Sequence, residues 1–225
     1  MLEVILDTET TGLSISQKHR IVEIGCVELK DQIPTKNIFH TYLNPQRPVT
    51  EEAYKIHGYS DEFLSDKKTF LEIADDFLNF IKDKKIIIHN AAFDLSFLNY
   101  ELSHVNKGKI DKNNIIDTLS LAQQKYPGAH NSLDALCKRF NIDNSKRKKH
   151  NALTDCQLLK EVYINLIGQK EPKLNLDNEE ISDISFKNNL SKGKNNLRKI
   201  IKPNDQEISL HKDYLKSYLK KNLYN

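Results

Sequence analysis

The stretch Val4-Ile5-Leu6-Asp7-Thr8-Glu9-Thr10-Thr11-Gly12 decides how this 225-residue chain folds. A β-branched, apolar run ends in two carboxylates set two residues apart, and a glycine turn follows. Because side chains alternate between the faces of a strand, Asp7 and Glu9 are expected to point the same way. Two carboxylates held that close resist ionising together unless a cation lies between them. The simpler alternative for an isolated D-x-E pair is a solvated strand end.

The composition argues against several classes of protein. Cys26, Cys137 and Cys156 are odd in number, far apart and without C-x-x-C spacing, so neither disulfides nor a zinc site is expected. We find no signal-peptide pattern and no apolar run long enough to cross a bilayer, which predicts a cytoplasmic protein. Residues 170–225 carry 12 Lys and Arg against 8 Asp and Glu, which leaves 22 against 23 for residues 1–169. A region so balanced is not expected to bind DNA through a basic surface alone.

The order of the apolar patterns predicts an α/β fold. Strand patterns occupy five stretches, at residues 3–7, 21–29, 38–43, 86–88 and 115–116. Helix patterns with apolar residues three to four apart lie at 70–81, from about 92, at 133–140 and at 152–167, and Asp117 is a plausible N-cap for one more helix. Three strands followed by alternating helices and strands predict a mixed central sheet flanked by helices.

The chain is expected to divide into three parts. Residues 1–168 would form the α/β domain. Residues 169–206 are rich in Asn, Lys, Asp and Ser, which predicts a linker. Apolar residues return at helical spacing in 207–225, at Ile208, Tyr214, Leu215, Tyr218 and Leu219. So short a helix has no core of its own and would need a partner surface to bury its apolar side.

Two further acidic positions fit the opening pair. Asp94 lies in the first turn of the helix after strand 86–88, where offsetting the helix dipole, worth about 0.3–1 kcal/mol, is the simpler explanation. His150 and Asp155 form an H-x4-D pair. On one continuous helix these two side chains would lie about 140° apart. They can therefore meet only if His150 lies on the loop before the helix.

Four acids and one histidine on three separate elements favour metal-assisted phosphoryl chemistry. Oxygen ligands suit Mg²⁺ or Mn²⁺. We expect Asp7, Glu9 and Asp155 to hold the first of two cations, Asp7 to bridge to the second, and Asp94 to act mainly through bound water. His150 is expected to take the proton from the attacking water.

The order of these motifs resembles the DEDDh 3′–5′ exonucleases, which share a ribonuclease-H-like fold. The resemblance is closer still to the proofreading subunits of bacterial DNA polymerase III. It covers about residues 1–167 and is carried by the segments 7–12, 52–58, 89–93, 131–137 and 142–147. It implies that Asp7, Glu9 and Asp155 are metal ligands in contact with the substrate, that Asp94 completes the acidic set, and that His150 is the general base.

The resemblance also implies that Glu52 and His57 contact the terminal nucleotide. From the residues alone, a solvated loop acid and a turn histidine would be the simpler interpretations. The tail would bind the catalytic (alpha) subunit of the polymerase, and a small theta-like subunit and the sliding clamp remain open as further partners. Glu171–Leu176 resembles a clamp-binding segment, but Glu171 stands where the family usually has Gln. A carboxylate cannot donate the amide hydrogen bonds that Gln can, so a plain linker is the alternative.

Three functions follow from these observations. The first is a proofreading 3′–5′ exonuclease subunit of the bacterial replicative DNA polymerase. The second is a stand-alone 3′–5′ exonuclease that trims RNA or single-stranded DNA ends, against which the tail argues because a free enzyme needs no attachment. The third is a catalytically silent adaptor, against which the complete acidic set argues.

Overall fold

The computed structural model describes residues 1–145, 147, 149–168 and 203–218 of the protein, without the side chains of 216–218. The chain divides into two units, Met1–Leu174 and Asn175–Asn225, which we describe separately. The predicted clamp-binding segment and residues 169–202 of the predicted linker lie outside the described residues. In the part of the chain that is described, no helix is both long and apolar enough to cross a membrane.

The first unit is built on a mixed five-stranded sheet, as predicted. Its strands are β1 (Leu2–Thr10), β2 (Ile21–Lys30), β3 (Ile33–Tyr42), β4 (Lys85–Ile88) and β5 (Ile115–Asp117). The order across the sheet is β3-β2-β1-β4-β5. β1 and β3 pair antiparallel with β2, whereas β4 pairs parallel with β1 and with β5. β1 and β4 therefore end at the same edge of the sheet.

In the part of the first unit that the structure describes, seven α-helices surround this sheet. They are α1 (Glu51–His57), α2 (Asp61–Ser65), α3 (Phe70–Ile81), α4 (Ala91–His104), α5 (Thr118–Lys125), α6 (Leu133–Arg139) and α7 (Ala152–Leu166). The predicted helices α3, α4, α6 and α7 are confirmed, and the Asp117 side chain caps α5 by accepting a hydrogen bond from the Leu119 N–H. Sequence patterns missed α1 and α2 because these helices bury too few apolar residues to display a helical period: α1 buries Ala53 and His57, and α2 buries Leu64.

Two strands are each four residues longer than the sequence predicted, whereas the other three are longer by one residue. β1 continues past Asp7 to Thr10, so Glu9 lies on the strand itself. β3 begins at Ile33 rather than Ile38. It is an edge strand whose first residues are mostly exposed, so they show no continuous apolar pattern.

Side chains alternate along β1, so its two faces contribute to two different hydrophobic cores. Val4 and Leu6 pack with α3 and α4 on one face. Ile5 packs with α6 and α7 on the other. Asp7 and Glu9 follow Ile5 in this alternation and so project toward the layer that contains α7.

In the second unit the structure describes one helix, α8 (Asp205–Tyr218). It begins two residues before the predicted start at residue 207, because Asn204 caps it. The Asn204 side chain accepts from the Glu207 N–H at 2.8 Å, and the Glu207 carboxylate accepts from the Asn204 N–H at 2.9 Å. Ile208 and Tyr214 are exposed within this unit, as expected of a helix without its own core. Leu219 lies beyond the described residues.

Candidate active site

A cavity of about 820 Å³ opens where β1 and β4 end, and it is lined by all the residues predicted for the site. These are Asp7, Glu9, Glu52, His57, Asp94, His150 and Asp155. They come from β1, α1, α4, the loop before α7 and the first turn of α7. Crevices beyond the carboxyl ends of parallel strands are common ligand sites in α/β proteins.

A glycine in β2 allows α7 to approach the sheet beside the acidic pair Asp7 and Glu9 of β1. Gly25 of β2 lies directly opposite Asp7 of β1 in the sheet. A Cβ atom at Gly25 would lie 2.6 Å from the backbone carbon of Ala152 and 2.7 Å from the Leu153 nitrogen. Only glycine at this position leaves room for the first turn of α7, and that turn brings Asp155 beside the acidic pair.

The predicted position of His150 before α7 is confirmed. Asn151 is the N-cap of the helix, and its side-chain oxygen accepts from the Thr154 N–H at 3.0 Å. His150 therefore lies on the loop, where its Nδ1 comes within 3.4 Å of Asp155 Oδ2. Glu9, His150 and Asp155 each offer one ligand atom, and these atoms all lie within 4.8 Å of one another. That spacing fits a single cation.

Asp94 reaches the same cavity from α4, on the opposite layer. Thr8, which alternates with Asp7 and Glu9 on β1, holds it in place. The Thr8 hydroxyl donates to Asp94 Oδ1 at 2.7 Å, and the Thr8 N–H donates to the same oxygen at 3.1 Å. Thr8 was not singled out in the sequence, although its place between the two acids could have suggested this role.

The carboxyl groups of Asp7, Glu9 and Asp94 all have raised pKa values in the metal-free protein. Burial, followed by repulsion from Asp94 and Glu9, raises the pKa of Asp7 well above its ordinary value. Burial, followed by repulsion from Asp155, raises the pKa of Glu9 to about 8. Burial also raises the pKa of Asp94 to about 7, although the hydrogen bonds from Thr8 oppose this change. A divalent cation bound among these groups would offset their repulsion and favour their ionised forms.

Asp155 differs from the other acids because Arg147 neutralises it. The Arg147 Nε donates to Asp155 Oδ1 at 2.5 Å and its Nη2 donates to Oδ2 at 2.7 Å, a bidentate pair. The same guanidinium reaches Asp134 of α6 at 2.8 Å and His150 Nδ1 at 2.9 Å. Burial opposes ionisation of Asp155, but hydrogen bonds from His150 and Arg147 outweigh it and lower the pKa of Asp155. In the sequence, Arg147 lies within the basic run 146–149, and no contact with Asp155 was predicted for it.

Glu52 and His57 both lie on α1, at one side of the cavity, rather than on a loop and in a turn. Glu52 is exposed, whereas the His57 side chain is buried. The His57 Nδ1 accepts from the Tyr59 N–H at 3.0 Å, and burial lowers the pKa of His57. The neutral ring must therefore carry its proton on Nε2. This Nε2 is buried and has no well-formed hydrogen bond among the described residues, although the Thr10 backbone lies close enough to raise the pKa of His57 and so to oppose the effect of burial.

The raised pKa of Glu9 predicts how the stability of the metal-free protein depends on pH. A carboxyl whose pKa rises on folding contributes its full stability below its unfolded pKa, near 4.5, and loses it as the pH rises through 8. We expect Glu9→Gln to remove most of this loss. In EDTA at pH 8, its free energy of unfolding should exceed that of the wild-type protein by about 2–4 kcal/mol.

Urea denaturation between pH 4.5 and 8.5 would measure this difference. Glu62→Gln, at an exposed position on α2, is the matched control and should leave the pH dependence unchanged. A Glu9→Gln protein that loses as much stability as the wild-type protein over this range would contradict the assignment of the raised pKa to Glu9.

The fold and the acidic set together define a DEDDh-type exonuclease of the ribonuclease-H-like fold. The nuclease domain of 3′hExo, a DEDDh family member solved bound to rAMP, superimposes with a TM-score of 0.65 at 15% identity, over 75% of this chain and 92% of that one. A family model described as Exonuclease matches residues 4–163. DEDDh exonucleases generally depend on divalent metal ions.

Curated relatives give a closer placement. The DNA polymerase III subunit epsilon of Rickettsia felis is 48% identical over 222 residues, which is 97% of each chain. The subunit of the same name from Escherichia coli is 48% identical over 174 residues, or 74% of this chain and 71% of that one. The chain belongs to the family of DNA polymerase III epsilon subunits, within the exonucleases.

Proposed function

We propose that this protein is the proofreading 3′–5′ exonuclease subunit of a bacterial replicative DNA polymerase, and that it removes mispaired 3′-terminal nucleotides by two-metal-ion hydrolysis. The observation that carries the proposal is the convergence of Asp7, Glu9, Asp94, His150 and Asp155 on one cavity. An adaptor without catalytic activity would not need several buried acids whose pKa values are raised by burial and, for Asp7 and Glu9, also by repulsion from the other acids. A replicative subunit would work in the cytoplasm, as the sequence predicts.

The site residues would have three separate roles: some would hold the metal ions, one would accept a proton, and two would contact the nucleotide. Asp7, Glu9 and Asp155 would hold the cations, Mg²⁺ or Mn²⁺, and Asp94 would complete the acidic set. When bound, the cations would activate the attacking water and offset charge on the scissile phosphate and the leaving oxygen. His150 would accept the proton of the water, since its ring is half-exposed beside Asp155 and open to the cavity.

Glu52 and His57 would contact the terminal nucleotide. Both line the cavity from α1, on the side where α1 faces the His150 loop. His57 can donate from Nε2 to an acceptor on the sugar or the base, whereas the Glu52 carboxylate can accept from a hydroxyl. Together they would place the last nucleotide with its 5′ phosphodiester toward Asp7 and Glu9.

Arg147 would compete with a cation for Asp155, because the guanidinium hydrogen-bonds to both oxygens of that carboxylate in the described arrangement and repels a second positive charge. The second anchor of Arg147, Asp134, lies outside the acidic set and would retain the guanidinium when Asp155 turns to the metal.

A cleavage assay on three matched substrates would test the proposal. The substrates are a primer with a mispaired 3′ end on a DNA template, the same primer fully paired, and single-stranded RNA of the same sequence. We expect single nucleotides to be released from the 3′ end in Mg²⁺ or Mn²⁺, faster from the mispaired primer than from the paired one, and none in EDTA. RNA cleaved faster than DNA would instead favour the stand-alone trimming enzyme, and no cleavage of any substrate would favour the adaptor.

The charge balance predicts that the core alone suffices for chemistry but not for attachment. Residues 1–169 are near neutral and should hold DNA only modestly unaided. Attachment to the polymerase would supply a high effective concentration of the frayed 3′ end. We expect a protein ending at Gly168 to cleave single-stranded DNA but to lose its binding to the polymerase catalytic subunit.

Gel filtration with the polymerase subunit would measure this binding for the full chain and for the truncated protein. Stoichiometric co-elution of the truncated protein would show that residues 169–225 are not the attachment. The match to the Rickettsia felis subunit extends over 97% of the chain, tail included, which supports a shared role for the tail. Whether Glu171–Leu176 binds a sliding clamp, and whether a theta-like subunit joins the complex, can be read from the same experiment with each candidate partner added.

A further inference from the structure

One buried carboxylate near the site belongs to none of the roles above. Glu23 is fully buried in β2, between Val22 and Ile24, in a strand whose other inner residues are mostly apolar. A carboxylate in such a place is costly unless hydrogen bonds satisfy its oxygens. The hydrogen-bond partners of Glu23 therefore indicate the role of this side chain.

Four donors from three different parts of the chain surround Glu23. Its Oε1 accepts from the Asn151 side-chain amide at 2.7 Å and lies 2.7 Å from His40 Nε2. Its Oε2 accepts from the Tyr59 hydroxyl at 2.8 Å and from the Ala152 N–H at 3.0 Å. Burial raises the pKa of the Tyr59 hydroxyl well above its ordinary value, so this hydroxyl remains a donor.

Two of these partners adjoin residues that we place in the chemistry. Asn151 and Ala152 directly follow His150 and begin α7. Tyr59 lies two residues after His57, its ring stacks on the His57 ring with centroids 4.8 Å apart, and its N–H fixes the His57 tautomer.

The two segments also contact each other directly. The Asn151 side chain donates to the Tyr59 hydroxyl at 2.8 Å. The His150 N–H donates to the carbonyl of Ile56, in the last turn of α1, at 3.2 Å. The loop that carries the base and the segment that faces the nucleotide are therefore joined at several points around one buried charge.

We propose that Glu23 and Tyr59 are positioning residues that lock the His150 loop to the His57 segment, so that the base is held in register with the terminal nucleotide. The inference rests on the proposed function. Neither residue is among those that line the cavity. Their hydrogen bonds act on the site through His150 and His57, so the loss of the Tyr59 hydroxyl should lower the rate of chemistry more than the affinity for substrate or metal. The Glu23 charge also raises the pKa of Asp7 and Glu9, so Tyr59 gives the cleaner test.

Tyr59→Phe tests this with little risk to folding. It removes one hydroxyl, and with it two hydrogen bonds, but keeps the ring stack and the backbone bond to His57. We expect kcat on single-stranded DNA to fall about 10-fold, with KM for DNA and the Mn²⁺ dissociation constant unchanged. Tyr42→Phe is the matched control: Tyr42 packs edge-on against Tyr59, and its hydroxyl is not among the donors to Glu23, so kcat should stay within about twofold.

A double mutant separates positioning from a general loss of structure. In a His150→Ala background, Tyr59→Phe should cause no further loss, because the base it positions is gone. The same 10-fold loss in both backgrounds, or a loss confined to KM, would overturn the proposal. Glu23→Gln places an amide N–H against at least one of the four donors and should lower kcat further than Tyr59→Phe.

Hydrogen exchange gives a readout that does not depend on activity. We expect Tyr59→Phe, but not Tyr42→Phe, to speed amide exchange about 10-fold in residues 57–60 and 150–155 together. Unchanged exchange in either segment would show that the two are not coupled through Tyr59. If the wild-type protein hydrolysed neither DNA nor the p-nitrophenyl ester of thymidine monophosphate, the proposed function would be wrong. The exchange experiment would still show whether Tyr59 couples the two segments.

Discussion

Asp7→Ala is expected to lower the rate of 3′-end hydrolysis by about 10³–10⁵-fold, because several kcal/mol of transition-state stabilisation depend on correctly held cations. The Asp7 carboxyl group is buried, and it is repelled by the neighbouring carboxyl groups of Asp94, Glu9 and Asp155. The variant should fold and be slightly more stable than the wild-type protein without metal, because one of several buried like charges is gone.

The measurement is single-turnover cleavage of a labelled DNA primer in Mn²⁺, alongside urea denaturation in EDTA. Asp155→Ala is the informative comparison. It should lose activity to a similar extent, but it should destabilise the metal-free protein, because it leaves the buried Arg147 without its bidentate partner. From the sequence alone both substitutions would be expected to relieve repulsion, so the ion pair reverses the expected sign for Asp155. Activity near the wild-type level in Asp7→Ala would refute the metal site.

His150→Ala is expected to lower kcat by about 10²–10⁴-fold, which is the usual contribution of a general base. The ring is about half exposed and lies within 3.4 Å of Asp155, so its removal leaves no buried cavity. Mn²⁺ affinity, measured by calorimetry in the absence of DNA, should be nearly unchanged.

The structure explains why Mn²⁺ affinity must be measured for His150→Ala as well as kcat. His150 lies close enough to Glu9 and Asp155 to share a cation with them. If Mn²⁺ affinity fell as steeply as kcat, His150 would be a metal ligand rather than the base. His150→Gln serves as the control, because its amide can hydrogen-bond in the cavity but cannot accept a proton at neutral pH.

The two residues Arg147 and Glu23 show that the acidic set is only part of the charge in this site. Arg147 offsets the charge of Asp155, whereas Glu23 satisfies donors at the start of α7 and after α1. On these contacts, we propose that both set where the predicted catalytic side chains lie before substrate and metal arrive. Geometry of this kind is what allows a bound substrate to react without further reorganisation.

The sequence by itself determined the parts of the protein that depend on local periodicity. The alternation along β1 placed Asp7 and Glu9 on one face, and the angle between residues five apart on a helix placed His150 on the loop before α7. The apolar spacing defined α3 from Phe70 to Ile81. These inferences hold because strand and helix geometry fix the directions of neighbouring side chains wherever the elements form.

Only the tertiary structure decided which groups satisfy the buried charges. Glu23 and Asn151 are 128 positions apart in the chain, and Thr8 and Asp94 are 86 apart. Likewise, the tautomer of His57 depends on a turn that the sequence pattern did not reveal. Hydrogen bonds and ion pairs depend on distances of a few tenths of an ångström between such residues. A periodic pattern specifies which side of an element is buried, but not which partner it meets there.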